Sequence, residues 1–109
     1  MTRTVKQLFD LTGQTALVTG GSRGLGLQMA HALGEAGARL MLSSRKASDL
    51  EEAVAELKAA GIEADYIAAD CGQEEDIRRL ARETVQKLGR VDILLNLSLI
   101  HISEPTRPY

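Results

Sequence analysis

Between residues 15 and 26 the chain reads Thr-Ala-Leu-Val-Thr-Gly-Gly-Ser-Arg-Gly-Leu-Gly, a β-rich run that breaks into glycines. Residues 15–19 are apolar or β-branched without alternation, the pattern of a strand buried on both faces. From Leu25 to Glu35 the apolar positions Leu25, Met29, Ala32 and Leu33 recur at helical spacing, and Gly37 stands where a helix C-cap belongs. A strand, a glycine loop and a helix in that order open a βαβ unit. Gly20 can turn sharply out of the strand, Gly24 lets the backbone come close to a phosphate, and Gly26 lets the helix pack tightly on the sheet. The helix N-terminus then offers free amide donors and a positive dipole end to a pyrophosphate. A glycine triplet alone is a weak signal. Set between a strand and a helix, it is a dinucleotide-binding fingerprint.

The alternation of periods continues. Residues 38–43 form a second strand, and Ser48-Asp49-Leu50-Glu51 matches a capping box, with Ser48 as N-cap and Glu51 reaching back. Leu50, Val54, Leu57 and Lys58 carry that helix to Gly61. Residues 62–69 are a third strand, weakened by alanines. A third helix spans 74–88 with Ile77, Leu80, Ala81, Thr84, Val85 and Leu88 as its buried stripe. Acidic residues at its start and Lys87 near its end suit the helix dipole. Gly89 ends it, and residues 91–95 form a fourth strand.

The order β-α-β-α-β-α-β implies an α/β fold, a doubly wound parallel sheet with helical crossovers. Right-handed crossovers give the strand order 3-2-1-4, with a topological switch point between strands one and four where ligands bind. Aromatic residues are only 3% of the chain, so its core must be aliphatic.

Composition narrows the function classes. One hundred and nine residues make one domain or part of one. A net charge of −2 argues against nucleic acid as a partner. A single cysteine, Cys71, excludes an intrachain disulfide framework and a multi-cysteine zinc site. His31 has no metal-ligand pattern around it and reads as structural; no metal site is expected. No apolar run approaches the roughly 18–20 residues that span a bilayer. The N-terminus lacks the apolar core of a signal peptide, and a reducing, cytoplasmic setting is the expectation.

In the generic dinucleotide fingerprint an acidic residue about 20 positions after the glycines binds the ribose 2′-hydroxyl. Here the second strand runs into Ser43-Ser44-Arg45-Lys46, with no acid. Arg45 can pair with a 2′-phosphate and Arg23 can add a second cation, through planar forked donors that suit a dianion. NADP(H) is therefore expected over NAD(H).

These residues carry a resemblance. Gly20-x-x-x-Gly24-x-Gly26 after Ala-Leu-Val-Thr, with Val91-Asp92-Ile93-Leu94-Leu95-Asn96 further on, resembles the classical short-chain dehydrogenase/reductase family over residues 9–96. Within it the chain is similar to 3-oxoacyl-carrier-protein reductases and gluconate-5-dehydrogenase-like members. The resemblance implies that residues 1–96 are the N-terminal part of an NAD(P)-binding Rossmann domain. It implies cofactor contacts at Gly20, Ser22, Arg23, Gly24, Leu25 and Gly26, then at Ser44 and Arg45. Asp70 with Cys71 matches the pair that contacts the adenine, and Asn96 the first asparagine of an Asn-Asn-Ala-Gly turn. The implied reaction is hydride transfer between a nicotinamide and a carbonyl or alcohol, by a full-length protein that is a homo-oligomer.

After Asn96 the sequence departs from the family. The family's serine and Tyr-x-x-x-Lys motif have no counterpart, and no lysine follows Tyr109. No catalytic residue is therefore expected here, and the chain by itself is expected to be inactive. Residues 97–107, Leu-Ser-Leu-Ile-His-Ile-Ser-Glu-Pro-Thr-Arg, match one reading frame of a transposase adapter used in sequencing libraries, so 97–109 read as a non-native tail. Two other readings stay open: a dinucleotide-binding fragment without catalysis, and a redox-sensing regulator.

Overall fold

The computed structural model describes residues 10–20, 24–70 and 72–96. Its elements run β1 (Thr15–Thr19), α1 (Gly24–Glu35), β2 (Arg39–Ser44), α2 (Ala47–Ala59), β3 (Ala64–Ala68), α3 (Glu74–Leu88) and β4 (Ile93–Asn96). All three strand pairings are parallel, and the sheet order is β3-β2-β1-β4. This is the Rossmann-like order expected from right-handed crossovers. Thr19 stands in register with Ser43 on one side and Asn96 on the other, so the strand ends form one level edge.

Side chains alternate across the sheet. Ala16, Val18, Leu40 and Leu42 face a core completed by Leu50, Val54 and Leu57 of α2 and Ala30 of α1. Leu17, Met41 and Ile67 face the other way, onto Leu80 of α3. Two helices thus cover one face and one covers the other. The buried hydrophobic side chains are aliphatic, and Tyr66 packs at the margin only partly buried. Leu11 joins the larger core.

Local details differ from the sequence reading. The second helix begins at Ala47, so Ser48 sits inside its first turn and Lys46 takes the cap position in an extended conformation, without a side-chain cap bond. Glu51 does not reach back; its carboxylate accepts the Tyr66 hydroxyl at 3.0 Å. The second, third and fourth strands shift or shorten to 39–44, 64–68 and 93–96. Leu25 is 57% exposed, because it lies in the first turn, beyond the sheet's end.

On α3, Leu80 and Thr84 are buried, but Ile77 and Val85 are 46% and 48% exposed. Helical rotation places those two on the flank opposite Arg79 and Lys87, which reach β3. Leu94 of the four-residue edge strand β4 is exposed as well. No helix among the described residues is long and apolar enough to cross a membrane.

Candidate functional site

The chemistry-bearing residues collect at the C-terminal edge of the sheet. Gly20 leaves β1 at φ +77°, and its N–H donates to Ser43 O at 2.7 Å, so the loop starts bonded to the end of β2. Gly24 opens α1 at φ +56°, where a side chain would be strained. A Cβ built there meets nothing within 4 Å. Among the described residues the backbone angle, not crowding, demands glycine there. Gly26 is buried in the helix face against the sheet. The first turn of α1 holds no acidic residue, so nothing there repels an anion from the helix N-terminus. Of the other expected loop contacts, Leu25 is exposed in that turn, and Ser22 and Arg23 lie outside the described residues.

At the end of β2, Ser44 is half-buried and its carbonyl accepts Ala69 N–H at 2.9 Å; Arg45 and Lys46 are exposed beside it. One polar row runs along the strand ends beneath the loop. Thr19 Oγ1 donates to Asn96 Oδ1 at 2.7 Å, closing the switch point between β1 and β4. Next in the row, Ser43 is fully buried, and its hydroxyl has no hydrogen-bond partner among the described residues.

The turn from β3 to α3 is held from the helix side. Asp70 N–H donates to Asp76 Oδ2 at 2.8 Å, and Gly72 N–H donates to Asp70 Oδ1 at 2.9 Å. Arg79 donates from Nη2 to Ala68 O at 2.9 Å. The i, i+3 spacing of Asp76 and Arg79 is visible in the sequence; the strand carbonyl within reach is not. Cys71 lies outside the described residues.

The opposite edge carries a different set of bonds. Asp92 Oδ2 accepts Thr15 N–H at 2.9 Å, and the Arg90 guanidinium on Oδ1 holds its carboxyl below the usual carboxylate range. Arg39 Nη2 donates to Thr15 Oγ1 at 2.9 Å and to Leu88 O at 2.7 Å, tying the C-terminal end of α3 to β1. A concavity of about 510 Å³ also lies there, but its Lys87 and Asp65 pair with each other at 3.6 Å. His31 bonds Glu56 at 2.6 Å between α1 and α2. Among the described residues no group of three or more His, Cys, Asp or Glu is placed to hold a metal ion.

The C-terminal edge therefore combines a positive-φ glycine loop at a helix N-terminus, exposed cations after β2, and a carboxylate after β3.

Residues 14–107 match the family model described as short chain dehydrogenase. The chain is 43% identical over 88 residues to a rhamnolipids-biosynthesis 3-oxoacyl-[acyl-carrier-protein] reductase of Pseudomonas aeruginosa, covering 81% of this chain and 34% of that protein. A short-chain type dehydrogenase/reductase from Mycobacterium marinum superposes with a TM-score of 0.80 at 35% identity, over 84% of this chain and 36% of that one. The NADP active-site complex of Pseudomonas aeruginosa RhlG gives 0.74 at 43% identity, over 79% and 33%. The chain spans about a third of the length of these relatives.

Proposed function

Because the chain belongs to the short-chain dehydrogenase family of oxidoreductases, we propose that it is the cofactor-binding part of an NADP(H)-dependent reductase acting on a carbonyl or alcohol. The observation that carries this reading is the pairing of the Gly20–Gly26 loop with Arg45. The loop enters α1 through two positive-φ glycines, and β2 ends in Ser44-Arg45 where an acid would select the ribose hydroxyls. That relatives include an NADP complex and a polyketide ketoreductase solved with NADPH supports the same reading.

The residues fit such a group. The amides at the start of α1 bind the pyrophosphate, with Gly20, Ser22, Gly24, Leu25 and Gly26 shaping the approach. Arg45, aided by Arg23, neutralises the 2′-phosphate. Asp70 and Cys71 border the adenine, and Asn96, bonded to Thr19, fixes the floor at the switch point. When bound, the nicotinamide supplies the hydride chemistry, and the protein contributes position and electrostatics.

Fluorescence titration of the chain with NADPH and NADH tests the proposal. NADPH binds more tightly, and Arg45→Ala erases about tenfold of that preference, the loss of one charge-assisted contact of roughly 1.5 kcal/mol. Equal affinities in the wild-type chain would remove the NADP(H) assignment.

A further inference from the structure

Resting on the dinucleotide reading above, we infer that Asp76 and Arg79 are positioning residues for recognition of the adenine base, acting through Asp70. The helix that follows β3 lacks an ordinary N-cap: Gln73 holds the cap position in an extended conformation and makes no side-chain cap bond. The first turn instead sends a carboxylate backwards. Asp76 is the third residue of α3, and its Oδ2 passes the cap to accept the N–H of Asp70 at 2.8 Å.

One turn further, Arg79 lies 4.0 Å from Asp76 Oδ1 and donates at 2.9 Å to Ala68 O, the last residue of β3. The two side chains grip both sides of a three-residue turn, one at its carbonyl and one at its amide. Both are about one-third exposed, so neither is there to fill the core.

This grip sets where the Asp70 carboxylate points. Asp76 fixes the backbone of Asp70 through its N–H, and Gly72 N–H on Oδ1 holds the side chain itself. A carboxylate so held accepts the exocyclic amino N–H of adenine. It repels the carbonyl oxygen that hypoxanthine carries at the same place. Loss of the grip frees the backbone that carries the Asp70–Gly72 pair, the carboxylate moves with it, and discrimination between those two bases falls. The helix itself stays seated through Leu80 against Leu17, Met41 and Ile67.

The test is a pair of NMR titrations of the chain with adenosine and inosine 5′-monophosphates, run alongside thermal melts. The wild-type chain prefers the adenine nucleotide. Asp76→Ala weakens the adenine nucleotide about tenfold and brings the ratio of the two towards one, whereas Asp76→Asn, which keeps an acceptor oxygen, retains most of the preference. Arg79→Met moves the ratio the same way and serves if Asp76→Ala does not fold. A folded Asp76→Ala with the wild-type ratio overturns the inference and leaves the dinucleotide reading standing. A wild-type chain that binds neither nucleotide overturns both.

Discussion

Two hydroxyls side by side in the sheet should respond to deletion with opposite signs. Thr19 and Ser43 occupy the same register on β1 and β2, and both are buried. Thr19 Oγ1 donates to Asn96 Oδ1 at 2.7 Å, whereas Ser43 Oγ has no partner among the described residues. A buried polar group without a partner costs about 1–3 kcal/mol of desolvation. Ser43→Ala removes that cost and forfeits the dispersion contacts of one oxygen, each about 0.1–0.2 kcal/mol. The net expectation is a gain of about 1 kcal/mol. Thr19→Val keeps the shape, deletes a satisfied bond and leaves the amide oxygen to water, a loss of about 1 kcal/mol. In a domain of this size 1 kcal/mol moves Tm by about 4–8 °C, so the two variants separate by about twice that. Urea and thermal unfolding followed by circular dichroism measure both, with an unchanged m-value showing that the denatured state is not the cause. If Ser43→Ala is destabilised like Thr19→Val, the Ser43 hydroxyl is bonded after all and the reasoning fails.

Other perturbations test other links. Gly34 lies in α1 under Ile62, and a Cβ there would overlap Ile62 Cγ2 and come within 2.9 Å of Cδ1. Gly34→Ala gains at most about 1 kcal/mol of helix propensity and incurs about 1–3 kcal/mol of overpacking, so its Tm falls; a rise would show that Ile62 can move aside. Asp92 has its carboxyl pKa lowered by Arg90 and by Thr15 N–H, so the folded state binds its proton less readily than the unfolded one. Its contribution is present above about pH 4, the unfolded value, and is lost as pH falls through the lower folded value. Asp92→Asn therefore flattens the acid limb of the stability–pH curve, and an acid limb as steep as the wild type's would show that Asp92 does not shape it.

The elements were legible because each announces itself locally. The run 15–19, the glycines at 20, 24 and 26, and the acidic start and Gly89 stop of the third helix are signals carried by adjacent residues. The strand order followed because handedness leaves few alternatives once the alternation is known. What escaped the sequence depends on neighbours distant in the chain. Ser48 has every attribute of an N-cap, yet a helix starting at Ala47 leaves it inside the first turn. Ile77 and Val85 keep a core periodicity, but the fold leaves their flank of α3 exposed. Arg79 looks like one of several surface arginines until β3 brings Ala68 O within reach. The candidate site divides the same way: its glycines and Arg45 show in the sequence, and the bonds that orient Asp70 and Asn96 do not.

The pairing of β1 with β4 also governs when the cleft comes into being. Thr19 and Asn96 are 77 positions apart, and every other strand pairing can form before that one. A parallel sheet cannot shorten the wait with a hairpin, since each partner must arrive by way of a crossover. On a ribosome adding about 5–20 residues per second, β1 and its glycine loop emerge seconds before the strand that completes their floor. Through that interval one edge of β1 stands unpaired, and the loop has no switch point beside it. A ligand held at that cleft would therefore mark a sheet already closed to its fourth strand.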